Sequence, residues 1–383
     1  MNPLRSFLSS GLIAVFSAWP LVACGPNVGP VIKIGVAQPL SGSSAARGQD
    51  LLNGVKLAVS EINASGYKVG GKAVQFEAVA IDDKGDKDEA KKVAQALVEQ
   101  KVSAVIGHLS SDVTEVVIPI YKNGNVPQLF TSSAAELTKL GEGNAFRVVA
   151  NDVLQARAIA GYTVETLRAN KIAILHEESA FGTPMARDVS AALAKFSKKV
   201  ELVQAVNNKS TDFAAFVGKL KAAPPDALVA AVRDHQLLPL LAQMNAAGLA
   251  DVAVIATSVA KTQKLATGPL DVKRLFLTSS SLDPSEFPAG ATFLTKFRAA
   301  YKADPVWAAH YAYDAVYVLA DVIRRTQSAD PAVLRAKLMT VDAIAPVTTT
   351  MRFGADGEQV HGAISVYERR DAKWLPMVRS DNW

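Results

Sequence analysis

From Val31 onward, short apolar runs alternate with stretches whose apolar residues return every three to four positions. VIKIGVAQPL (31–40) predicts a strand entering a loop, and ARGQDLLNGVKLAVSEINASG (46–66) an amphipathic helix stopped at Gly66. AVQFEAVAIDD, VSAVIG and VPQLFT predict strands, with helices DEAKKVAQALVEQ and SDVTEVVIPIYKNGN between them. Such a βαβαβαβ series requires a parallel sheet covered by helices on both faces. A second series of the same kind, with four helices and four strands, runs from NDVLQARAIAGYTVETLRAN to VAVIATS; the two join near residues 148–151. The remainder differs. One strand, KRLFLTSS, precedes three helices (AGATFLTKFRAAYKA, WAAHYAYDAVYVLADVIRRT, DPAVLRAKLMTV). TTTMRFGADGE and AISVYERRDAKWLPMV then read as an antiparallel pair, with turns at 354–357 and 370–371.

The pattern predicts an α/β protein of two doubly wound parallel-sheet lobes. Residues 31–148 with 277–346 are expected to form the first lobe, and 149–276 with 347–383 the second. The chain would then cross between lobes three times, making a three-stranded hinge that bends in one direction and resists twisting.

Residues 1–23 read as an export signal, with Arg5 ahead of an apolar run near 7–19 and small residues after it. The run is too short to span a bilayer. Leu21-Val22-Ala23-Cys24 resembles the lipobox of bacterial lipoproteins, which implies cleavage before Cys24 and lipid on its thiol. The alternative is an ordinary signal with an incidental cysteine. Cys24 is the only cysteine, and an exported chain has little use for one unpaired thiol. Residues 24–30 then form a lipidated N-terminus and spacer. The expected location is the periplasm or cell surface, tethered to the membrane through Cys24.

Charge narrows the classes further. There are 41 basic and 36 acidic residues, but no run of Lys or Arg exceeds two, which argues against nucleic acid as a partner. The five histidines are scattered, so neither a metal nor a cofactor is expected. GYKVGGKA (66–73) nearly spells a phosphate-binding loop, but Ala73 stands where a hydroxyl belongs and a helix precedes it, so it reads as a turn. Ser258-Val259-Ala260-Lys261 and Ser380-Asp381-Asn382 are two fragments of a penicillin-recognising set whose third member is missing. DDKGDKDE (82–89) lacks calcium-loop spacing and reads as a strand-to-helix turn, with Asp86 or Asp88 as N-cap.

GHLSSDV (107–113) carries the chemistry. Ser110 and Ser111 fall at the first turn of a helix, where unpaired N–H groups and partial positive charge favour an anion. Capping alone is the plainer reading. A nucleophile with His108 as base would need convergent side chains, and no Gly-x-Ser-x-Gly elbow is present. Thr131-Ser132-Ser133 closes the neighbouring strand, so both hydroxyl clusters are expected at the carboxyl edge of one sheet, where open α/β sheets bind ligands.

The series IKIGVAQPLSG, GVKLAVSEINASG, GHLSS, ELTKLG, IAILHEESAFG, NAAGL and AYDAVYVLADVI resembles the periplasmic branched-chain amino-acid binding family, the type I solute-binding proteins of ABC importers. The resemblance covers nearly all of the chain after the signal. It implies two lobes closing on a ligand, no catalysis, and importer permease subunits as partners. Ser111 matches the serine that holds the ligand carboxylate, and 131–134 a second carboxylate-binding segment whose register between Ser132 and Ser133 is open. Phe181 matches an aromatic that covers the ligand; ordinary core packing is the alternative, and its place in a strand-to-helix loop before Gly182 argues for the mouth. Where amino-acid binders carry an aromatic in the first loop, this chain has Arg47; Arg233 stands at the end of DALVAAV. Only hydroxyls occur near Thr257 and Ser258, where leucine binders place a glutamate, and Gly85 and Ser110 replace a disulfide. Two arginines gained and a carboxylate lost favour an organic acid, aromatic or dicarboxylic, over leucine, with a second acidic group on the ligand, or Asp83 or Asp234, as the counter-charge; that both arginines are solvated rim residues is the alternative. The expected protein is a monomeric binder of a small carboxylate. A sensor on the same fold, or an envelope hydrolase using Ser111 and His108, are the alternatives.

Overall fold

The computed structural model describes residues 29–269 and 271–380. The expected signal segment, Cys24 and most of the spacer lie outside the described residues. Two sheets organise the chain. The first has five parallel strands in the spatial order Gln75–Asp82, Val31–Gln38, Ala104–Gly107, Gln128–Phe130, Ala145–Arg147. The second has seven, and its five parallel members follow the same order: Val200–Val206, Ile172–Glu177, Ala227–Ala231, Ala253–Ala256, Leu275–Ser279. Ser365–Arg370 and Lys373–Arg379 complete it as an antiparallel edge.

These strands read as continuous apolar runs because helices bury both faces; Ala104–Gly107, Ala227–Ala231 and Ala253–Ala256 are buried throughout. Gly107 ends its strand with no room for a side chain, since a Cβ would stand 2.1 Å from the Ala37 carbonyl oxygen. The first lobe packs helices Ala45–Ala64 and Ala309–Thr326 into one core with Phe146, Phe293, Met351 and Phe353. The second has a core on each face of its sheet. Asp86 caps the helix Lys87–Glu99 by accepting the N–H groups of Asp88 and Glu89. GYKVGGKA forms a small hairpin, Lys68–Val69 against Lys72–Ala73.

The chain passes between the lobes at residues 148–151, 280–289 and 359–364, all three meeting where Val149, Leu282, Gln359 and Gly362 lie together. Two expected boundaries need correction. The division at 276/277 cuts through Leu275–Ser279, which pairs along its length inside the second sheet. Residues 347–353 belong with the first lobe, because Val347, Met351 and Phe353 enter its core. The expected pairing of the last strands also differs. Thr349–Arg352 pairs with Asp342–Ala345, and Ser365–Arg370 turns back on Lys373–Arg379 through Asp371 and Ala372. A two-residue reversal is a cheaper closure than the longer link between the two stretches.

Candidate functional site

Both sheets reverse their winding at an equivalent place, the first between Val31–Gln38 and Ala104–Gly107, the second between Ile172–Glu177 and Ala227–Ala231. Loops leaving the carboxyl ends of strands diverge at such points and leave a crevice. Here the crevices face one another. The resulting cleft has an inner chamber lined by Arg47, Ser110, Ser111, 131–133, Phe181, Arg233, Ser258, Ser280 and Trp307. It opens into a mouth of about 490 Å³ bordered by Ser43, Lys84, Lys87, Asp112, Glu178, Lys209 and His235.

Ser111 begins the helix Ser111–Asn123, and Ser110 is its N-cap by position but makes no side-chain capping bond. Its hydroxyl is therefore not spent on the helix. Ser111 Oγ accepts the N–H of Ala134 at 3.3 Å, which leaves the hydroxyl proton for another acceptor. Thr131 is buried and its Oγ1 has no partner. The next two residues behave otherwise. Ser132 Oγ donates toward the His108 carbonyl at 3.0 Å and shares a hydrogen bond with Thr114, so it ties the two loops together. Ser133 bonds the buried carboxyl of Asp152, whose pKa burial raises to about 7 against the opposing effects of that bond and of Arg147.

A fully buried arginine holds the segment in place. Arg147 donates through Nη1 to the Ser132 carbonyl and through Nη2 to the Ala134 carbonyl at 2.7 Å, while Nε and Nη2 grip Glu358 at 3.1 Å. Three of its nitrogens are thus satisfied without contact with solvent.

His108 is not a base for either serine. Its Nδ1 lies 2.6 Å from Asp83 and its Nε2 3.1 Å from the Tyr121 hydroxyl, all fully buried. Asp83 is consequently no counter-charge for Arg47 or Arg233. Asp234 accepts from Thr262 instead. Arg233 is answered by Glu177 at 3.2 Å and, across the cleft, by Asp112 at 4.0 Å. Arg47 lies in the first turn of its helix rather than in the loop. Its Nη1 reaches across to the Val259 carbonyl at 3.3 Å, with the guanidinium 5.9 Å above the Trp307 ring. Burial, then the neighbouring Arg233, lowers its pKa to about 10, so it is still a cation at neutral pH. Phe181 packs into the second-lobe core as well as lining the chamber.

Trp307 and Asp112 had no sequence signal of their own. Trp307 is placed by Asp50, whose carboxylate accepts the N–H groups of Val306, Trp307, Ala308 and Ala309 at the start of a distant helix. Asp112 accepts the N–H of Ala180 from the other lobe at 3.0 Å. Among the described residues no cluster of His, Cys, Asp or Glu could hold a metal ion, and no helix is long and apolar enough to cross a membrane.

Two α/β lobes with hydroxyls, a helix N-terminus and arginines turned into the gap match one family over residues 31–373. The chain belongs to the periplasmic binding protein family. An amino acid binding protein of Pseudomonas aeruginosa is 30% identical over 79% of this chain and 80% of its own length. The leucine-, isoleucine-, valine-, threonine- and alanine-binding protein of the same organism is 26% identical over 95% of both chains. The solved structure of the branched-chain amino acid binding protein LivJ of Streptococcus pneumoniae, in complex with isoleucine, superposes with a TM-score of 0.80 at 26% identity, covering 91% of this chain and 99% of that one. The fold is therefore the type I periplasmic binding fold, and the protein is a solute-binding component of ABC transport that works outside the cytoplasm and catalyses no reaction.

Proposed function

We propose that the cleft captures a small carboxylate-bearing ligand and presents it to the permease subunits of an ABC importer. The observation that carries this reading is the Thr131 hydroxyl: a buried polar group with no partner, in the same chamber as Ser110, Ser111 and the N-terminus of Ser111–Asn123. Leaving such a group unpaired costs about 1–3 kcal/mol, which an arriving carboxylate oxygen recovers. Neutral donors and the helix end can hold one carboxylate without a counter-charge beneath it. Names of the relatives point to amino acids as one ligand class.

The inner chamber offers only about 40 Å³ with Arg47 spanning it, so a ligand enters as the lobes part and Arg47 gives way. Capture then works by population shift, the ligand favouring the shut arrangement. Micromolar affinity requires about 8 kcal/mol net. The resemblance of 21–24 to a lipobox supports attachment to the membrane through lipid on Cys24.

A thermal-shift screen of small acids tests the capture, because a ligand selective for the folded state raises the melting temperature. Hits are expected to weaken about 5- to 100-fold in Thr131→Val and in Ser111→Ala. Hits indifferent to both substitutions refute the cradle. Cys24→Ser is expected to move the protein from the membrane to the soluble fraction; retention in the membrane refutes the anchor.

A further inference from the structure

The inner chamber is lined by hydroxyls, two aliphatic and two aromatic side chains, and two guanidinium groups; no carboxylate lines it among the described residues. A ligand's carboxylate has a place to go there, whereas an ammonium group does not.

The two arginines are in different states. Arg233 is paired with Glu177, itself fully buried and bonded also to Ser179. Arg47 has no carboxylate within ion-pair distance among the described residues; its contacts are the Val259 carbonyl and the face of Trp307. A carbonyl oxygen and a ring quadrupole lower the cost of placing a cation there, but neither carries a charge that cancels it. Arg47 is therefore a chamber guanidinium with no direct ion-pair partner among the described residues, beside a hydroxyl cradle.

The carboxylates that act on it from beyond ion-pair distance are already committed. Asp234 accepts from Thr262 and Glu177 holds Arg233, while Asp112 accepts the Ala180 N–H and faces Arg233 and Lys87. Glu178 borders only the mouth, among Lys84, Lys87, Lys209 and His235. An amino acid entering carboxylate first would bring its ammonium close to Arg47, with hydroxyls and carbonyls but no anion to meet it. An acid without the ammonium leaves net negative charge for Arg47 to neutralise.

We propose that this cleft selects organic acids that carry no ammonium group, with Arg47 as the residue that makes the distinction. The proposal rests on the carboxylate-capture reading above. It departs from the amino-acid ligands named for the two Pseudomonas aeruginosa relatives and for LivJ, and it does so through residues of this chain alone.

Matched pairs differing in the amino group provide the test: 4-methylpentanoate against leucine, and succinate against aspartate, by titration calorimetry on the purified protein. Where either member of a pair binds, the amino-free acid is expected to bind at least about tenfold more tightly. Arg47→Gln is expected to weaken the amino-free acid about tenfold or more and to close the gap between the pair members. Arg47→Lys, which keeps the charge, is expected to retain the order. The unliganded melting temperature of each variant establishes that it is folded. An amino acid binding as tightly as its amino-free partner, or more tightly, overturns the proposal and leaves carboxylate capture standing. An unaltered preference in folded Arg47→Gln removes Arg47 from the role. Binding of neither pair, nor of any acid in the wider screen, overturns both readings.

Discussion

Asp112 offers a way to weaken capture without touching the hydroxyl cradle. Its carboxylate begins in the first lobe and accepts the Ala180 N–H of the second at 3.0 Å, with Arg233 Nη2 at 4.0 Å. Both contacts join one lobe to the other, so parting the lobes breaks them. A hydrogen bond to a charged acceptor contributes about 1.5–3 kcal/mol, and a partly exposed ion pair at this distance about 0.2–1. Asp112→Ala should thus cost the shut state about 2 kcal/mol, which reduces apparent affinity about 30-fold when the shut state is the binding-competent one. Asp112→Asn keeps an acceptor for Ala180 and loses only the charge, so a drop of about fivefold is expected. An opposing effect exists, because removing a negative charge relieves repulsion of an anionic ligand. At about 8 Å in a water-like medium that is on the order of 0.5 kcal/mol, too little to reverse the sign. Calorimetry with the best hit of the acid screen gives the affinities. Small-angle scattering with and without that ligand reports closure. Affinity unchanged or improved in Asp112→Ala, with normal closure, refutes the idea that this contact latches the lobes.

Two further outcomes follow from the buried charges. Glu358→Ala strands Arg147 without its partner and should cost about 3–5 kcal/mol in urea unfolding; the double change Arg147→Met with Glu358→Leu should recover part of that, and equal losses in both would show that the pair itself is not the source. Asp152 has its pKa raised to about 7 by burial, so between about pH 4 and 7 the folded chain holds a proton that the unfolded chain has released, and stability falls as pH rises through that window. Asp152→Asn removes this dependence; its advantage over the parent, measured by denaturant unfolding at pH 4.5 and 8, should be larger at pH 8, and a pH-independent difference would contradict the assignment.

Much of this architecture is written locally. Apolar runs such as those at 104–107 and 227–231 show themselves because both faces of the strand are covered. Ser110 and Ser111 are visible for a similar reason, since a hydroxyl pair between a strand and a helix has few other places to be. The roles of Ser132 and Ser133 are not visible. Which way their hydroxyls turn depends on Thr114 and Asp152, which belong to other elements. Phe181 fits both readings that its position allowed, mouth and core. The counter-charges of Arg233 were misplaced because Asp234 is adjacent in sequence, whereas Glu177 and Asp112 arrive by strand pairing and by closure. Trp307 is set by a carboxylate 257 residues away, a distance over which no periodicity carries information. The boundary at 276/277 failed for a related reason: the helical run beyond it looks like a new unit, but the strand that precedes it finds its partners in the old one.

The grip of Arg147 joins two places that bend and bind. It stands immediately before the first linking segment, and Glu358 immediately before the last. The same guanidinium clasps the backbone of Ser132 and Ala134. The swivel of this molecule is therefore bolted to the shelf on which its cargo rests. Shelf and swivel are thus held by one side chain, with no intervening residue between them.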